Sequence, residues 1–216
     1  MLFPILGVVL VGMVALALRY RYLNKKTDDE NDAFYAREQK ANATPKKDIS
    51  NIKYIKIPLE KFPIGKVDDP DVKAIEDRIK ALSDKDILNL TGKTNTELKE
   101  EYGVPNFDKM QEVGENFNDL TVALVDYGSE LMLHNMYDEA ISVLEYGIVI
   151  GTDMSKNYTL LADCYKLKNQ PRRIATLREQ AESYEGIMKD TILKHLDELL
   201  SEGKSEEFDT KEESVS

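Results

Sequence analysis

Two consecutive frames of 34 residues, 121–154 and 155–188, carry the same pattern of large and small side chains, and a period of that length admits little besides paired helices stacked in series. In the first frame Leu124, Tyr127, Gly128 and Leu131 line one helix face, and Ala140, Leu144 and Gly147 line the face of the helix that follows. The second frame repeats the layout with Tyr158, Leu161, Ala162 and Tyr165, then Ile174, Arg178 and Ala181. Gly128 or Ala162 lets the paired helix approach, while a Leu or Tyr one turn away fills the space beside it, which suits ridge-into-groove packing at ~8–10 Å between axes. The breaks fall between the helices of each pair, at His134-Asn135-Met136 and at Lys168-Asn169-Gln170-Pro171, with Pro171 suited to a first helical turn.

The segment Tyr137-Asp138-Glu139-Ala140-Ile141 is close to the usual start of the second helix in tetratricopeptide (TPR) repeats, and residues 121–188 resemble two such repeats. Thr152 stands where the family often has a proline, Ile174 where a small residue is usual, and Arg178 where an aromatic or aliphatic residue is usual, so the second repeat is degenerate. The same residues also suit an unrelated pair of helical hairpins. The resemblance implies an all-α fold of TPR-like right-handed superhelical hairpins, with flanking helices and a C-terminal capping helix. It also implies a groove lined by the inner face of each first helix, where a peptide or helix of another protein would bind. By position that face comprises Val122, Val125, Ser129, Met132 and Leu133, then Lys156, Thr159, Asp163 and Lys166. Some family members clamp a partner's terminal carboxylate with Lys and Asn; Val125 and Ser129 occupy those positions here, so that mode is not expected.

At the other end of the chain, residues 2–18 contain no charge, and as a helix they would span about 26 Å at ~1.5 Å per residue. Tyr20, Tyr22 and Leu23 extend the run, with Arg19 and Arg21 able to snorkel, so residues 1–23 are expected to form a transmembrane signal anchor. Ala15-Leu16-Ala17 mimics a signal-peptide cleavage site, but no basic stretch precedes the apolar run. The basic residues Arg19, Arg21, Lys25 and Lys26 all follow it, which by the positive-inside rule keeps the body cytoplasmic and the N-terminus outside. An exported, membrane-tethered body and a secreted, processed one are the alternatives. The Asn-x-Ser/Thr matches at Asn42, Asn89 and Asn157 would matter only for an exported body.

Between anchor and repeats, residues 24–50 read as a charged linker with a helical turn or two continuing from the membrane. Residues 51–68 read as an extended strap: Ile55, Ile57 and Leu59 alternate with polar residues or proline, and Pro58 and Pro63 forbid a continuous helix. A helical domain is expected over 69–201. Asp69-Pro70 opens its first helix, with Val72, Ile75, Ile79 and Leu82 at helical spacing. A short helix follows from Ser83 to Gly92, another from Thr94 or Thr96 to Gly103, and a run from Asn106 continues across Gly114 into the first repeat. Met188, Ile192, Leu196, Leu199 and Leu200 mark a capping helix ending before Gly203, and 202–216 reads as a disordered acidic tail.

Chemistry is hard to place on this chain. A net charge of −11 argues against nucleic-acid binding, because there is no basic surplus to displace counterions. The single cysteine, Cys164, excludes an intrachain disulfide and reads as a small buried hydrophobe. Leu90-Thr91-Gly92-Lys93-Thr94 resembles the end of a phosphate-binding loop, but Ile87 stands where that motif needs its first glycine. His134 and His195 are isolated, without partners at metal-ligand spacing. No catalysis, cofactor or metal is therefore expected. The expected role is that of a membrane-anchored adaptor binding another protein, with a layout similar to that of bacterial inner-membrane TPR adaptors. The alternative is a structural subunit of a membrane complex, its groove filled by its own strap at 52–64.

Overall fold

Proline, asparagine and glycine set most of the helix ends in this chain, and the computed structural model puts helices between them. It describes the backbone of residues 3–213 and the side chains of 12–27 and 29–202; among these residues the fold is all-α, without strands. The helices are α1 (Phe3–Asn42), α2 (Pro70–Ser83), α3 (Asn95–Tyr102), α4 (Phe107–Leu133), α5 (Tyr137–Val149), α6 (Ser155–Leu167), α7 (Pro171–Ala181) and α8 (Lys189–Glu213). By contact the chain forms two units. One holds the residues up to Asn51 together with Lys93–Met110; the other holds Ile52–Gly92 and the chain from Gln111 onward.

In the first unit the charged stretch expected to be a spacer is helical as far as Asn42. Arg, Lys, Glu, Gln and Ala are good helix formers, and the last turns of α1 gain a partner in α3. Arg37 donates to both carboxylate oxygens of Glu100 at 3.0 and 2.7 Å. Lys99 donates to Glu38 at 2.7 Å and to Asn42 at 2.8 Å, and Glu38 also accepts from Thr96. A capping box opens α3, in which the Thr94 and Glu97 side chains each accept from the other's backbone N–H. At its other end Gly103 takes φ +85, and a Cβ there would collide with the Pro45 carbonyl oxygen, so only glycine closes this turn.

The second unit contains the apolar core. Asp69 caps α2 by accepting from the Asp71 and Val72 N–H groups, with Pro70 in the first turn, and α2 buries Val72, Ile79 and Leu82. Residues 84–92, expected to continue a helix opened at Ser83, are not helical. Their backbone groups pair with other segments instead: Ile87 O accepts from Ile55 N, Leu88 N donates to Val113 O, and Asp86 O accepts from the Asn116 amide. The Asn89 amide then donates to Ile150 O and Gly151 O, closing the open end of α5.

The two hairpins share one turn. Asn135 and Asn169, 34 residues apart, both adopt the left-handed region, at φ 58 and 53. Asn135 N donates to Met132 O and Met136 N to Leu131 O; Asn169 N donates to Lys166 O and Gln170 N to Tyr165 O. This is the Schellman closure, here with asparagine in the place usually taken by glycine. Ala140, Leu144, Ala162, Ile174 and Ala181 are all buried, and a Cβ on Gly128 would come within 2.6 Å of Leu144, which accounts for the glycine.

α8 buries Ile192, Leu196 and Leu199 and packs on α6 and α7. It runs past Gly203 to Glu213 rather than stopping there, since one glycine costs a helix only about 1 kcal/mol. The end of the acidic tail, 214–216, lies outside the described residues. So do the side chains of residues 1–11, which carry much of the expected anchor. Among the described residues no helix is long and apolar enough to cross a membrane.

Candidate protein-binding face

The face expected to form a groove is partly closed by the protein's own helices. Val125, in its middle, is only 2% exposed and belongs to the interior. Val122 is half-buried, and Arg78 from α2 pairs with Asp119 at 3.4 Å and Asp126 at 3.8 Å, the residues three before and four after it on α4. Further along, α8 reaches the second hairpin's share: the His195 ring lies 2.8 Å from the Asp163 carboxylate, and Lys166 pairs with Glu202. His195 is thus not the isolated histidine that sequence spacing suggests. What stays accessible is Ser129, Met132 and Thr159, each half-buried, with Leu133 and Lys156 exposed. Leu133 stands out at 73% exposure. Its counterpart 34 residues on, Leu167, is also exposed.

The strap is seated on the core of the second unit. Ile55, Ile57, Leu59 and Ile64 are half-buried against the core and Phe62 is buried. Phe62 meets Tyr146 of α5 edge-on at 5.5 Å, and the Tyr146 hydroxyl donates to Lys56 O at 2.9 Å. Burial pushes that hydroxyl's pKa up to about 12, so it serves as a donor throughout the ordinary pH range. Lys66 pairs with Glu139, also on α5. The expected alternative had the strap covering Val122, Val125 and Met132; its polar and aromatic partners include groups on α5, on α2 and at Ile87.

A buried carboxylate fixes the far end of the strap. Glu76 of α2 is 2% exposed, accepts from Gly65 N with both oxygens at 2.9 Å, and accepts from the Tyr127 hydroxyl at 3.0 Å. Lys80, one turn on, stands 3.8 Å away. Burial first, and then the Glu76 carboxylate, drive the Tyr127 hydroxyl upward and keep it a donor. A buried charge that lost these donors would be costly, so Glu76 and Gly65 hold strap and helix together. In sequence Glu76 stands four residues after Val72 and three before Ile79, on the apolar face of the helix, and that register is the signal that could have marked it as buried.

Burial pushes the Cys164 thiol up to about 12, leaving it a packed thiol rather than a thiolate. Of the glycosylation-like asparagines, Asn157 is buried and donates to Leu144 O, and Asn89 is engaged with the α5 terminus. No protein-family model, curated protein or solved structure matches the chain.

Proposed function

We propose that this protein is a membrane-tethered scaffold of TPR type, which holds a peptide or helix of another protein on the open part of its α4–α6 face and carries out no catalysis. The matching pair of turns carries this proposal: Asn135 and Asn169 close two hairpins of the same period with the same hydrogen bonds. Stacked hairpins of that period make interaction surfaces. The accessible strip of Met132, Leu133, Lys156 and Thr159 lies on the first helices of the two hairpins, and no strap contact described above reaches it. The apolar run at the N-terminus supplies the tether. The basic residues after it favour a cytoplasmic body, as in a bacterial inner-membrane adaptor.

A photo-crosslinking residue placed at Leu133 or Thr159 in the full-length chain should yield a discrete adduct in cells, while the same probe at Ser142, exposed on α5, should not. The same adducts from all three positions, or none from Leu133 and Thr159, would remove this face as the binding surface. A second reading, a structural subunit of a membrane complex, is favoured by the firm seating of the strap through Glu76, Tyr146 and Glu139. Its outer surface would then be the joined one, with adducts at Ser142 and none at Leu133.

A further inference from the structure

Resting on the tether proposed above, we infer that α1 carries a collar of basic side chains that binds the anionic headgroups of one bilayer leaflet. Met13, Leu16, Leu18, Tyr20, Tyr22 and Leu23 are all exposed on this helix. They do not form a stripe. Leu16, Tyr20 and Leu23, spaced four and three apart, share one face, and Leu18 and Tyr22 lie round the other side. A helix that is apolar all round is suited to apolar surroundings on every side, whereas a helix lying flat on a membrane needs one polar flank.

The charges that follow are arranged in the same way. Arg19 and Lys26, seven residues apart, return to one face after nearly two turns, while Arg21 and Lys25 share the opposite one. Together they cover about 10 Å of helix axis at ~1.5 Å per residue, which is the scale of one headgroup layer. Arg19, Arg21 and Lys25 are exposed and pair with no carboxylate among the described residues; Lys26 has only Glu30, at 3.8 Å on the surface. Asp29, Glu30 and Asp32 come next, and an anionic leaflet repels them. The order apolar, basic, acidic therefore sets both the ligand and the depth. Cationic side chains sit among anionic phosphates, and the acids stay in water. A second copy of α1 is the poorer occupant, because pairing needs a single apolar seam, and the exposed apolar side chains here extend round the helix.

The test uses full-length protein reconstituted into vesicles of phosphatidylcholine alone and of phosphatidylcholine mixed with phosphatidylglycerol. Flotation reports the tether. Spin-labelled lipids report which headgroup collects at the helix. The wild type should float with both vesicles and enrich spin-labelled phosphatidylglycerol over phosphatidylcholine. That preference should fall roughly fivefold for each of Arg19→Gln, Arg21→Gln, Lys25→Gln and Lys26→Gln at low salt, and should fade as salt is added. Flotation without any headgroup preference would overturn the collar and leave the tether standing, while failure to float with either vesicle would remove the tether and the collar with it. A Leu23→Cys variant that forms disulfide-linked pairs as efficiently in the four-Gln background as in wild type, with no lipid preference, would assign the helix to a second copy and reject the proposal.

Discussion

The two hairpins of the second unit share a period and a turn but are held by different forces. In the first, Leu144 is fully buried over Gly128 and Ala140 is fully buried beside it, so the helices meet through close apolar contact. In the second, the residue corresponding to Leu144 is Arg178, which turns to α8 and pairs with Asp197 at 2.5 Å and Glu182 at 2.7 Å. The position corresponding to Ala140 is Ile174, buried and much larger. The seam with α8 gains two more polar links, His195 to Asp163 and Lys166 to Glu202. A repeat within a stack needs an apolar face for its neighbour, but the last one needs a face that tolerates both a cap and water. Arg178, one of the departures from the repeat pattern, is thus a place where the second hairpin is fitted to α8.

The largest expected effect is in the first hairpin. Leu144→Ala removes a fully buried side chain above a glycine that cannot fill the space, and should cost ~2–5 kcal/mol in chemical denaturation. Arg178→Ala, at the equivalent position of the second hairpin, should cost far less, since its partners are exposed. Equal losses would show that both hairpins are held by the same kind of contact. Ala140→Leu comes next. It forces extra volume into a closed contact and should cost ~1–3 kcal/mol, visible as a lower Tm, whereas Ile174→Leu nearly conserves volume and should cost under about 1.5 kcal/mol.

The shared turn sharpens the comparison from the other side. Asn135→Ala and Asn169→Ala should each lose about 1 kcal/mol, because alanine tolerates the left-handed region poorly, while Asn135→Gly and Asn169→Gly should be close to neutral. Similar values at the two sites would mean that the turn is a property of the repeat. Unequal ones would mean that α8 has altered it.

Much of this was legible because it is local. The alternation of Gly128 and Ala162 with large neighbours, the Asp69-Pro70 start and the stops at Asn135, Asn169 and Gly103 are each written in a few adjacent residues. What sequence could not give is tertiary. Ile87, Leu88 and Leu90 sit at spacings that suit a helix, but their segment takes its hydrogen bonds from Ile55, Val113 and Asn116. Glu76 shares the apolar face of α2 with Val72 and Ile79, but its donors, the Gly65 N–H and the Tyr127 hydroxyl, come from segments distant in sequence. Arg78 looks like a solvated charge, and only the register of α2 on α4 shows that it pairs on both sides of Val122. The charged residues of α1 read as a spacer because their partners, Lys99 and Glu100, lie some sixty residues away.

The smallest effect is the acid response, and it should appear on one side of the comparison only. Hydrogen bonding and charge attraction from Arg178 hold the Asp197 carboxyl below the usual range, and Lys166 does the same for Glu202. A carboxylate with a folded-state pKa below its unfolded value adds stability that is fully present above the unfolded value, near 4 for such groups, and is lost as pH falls through the folded one. Acid should therefore loosen the seam between α8 and the second hairpin while leaving the apolar contact of Leu144 with Gly128 unchanged. Hydrogen exchange followed from neutral pH down to about 3, with rates corrected for the intrinsic acid dependence, should show amides of 192–200 losing protection before those of 140–147. Asp197→Asn should weaken that early loss by removing one of its two carboxylates. If both segments lose protection together, the charged seam adds nothing of its own, and α8 is held by Ile192, Leu196 and Leu199 alone.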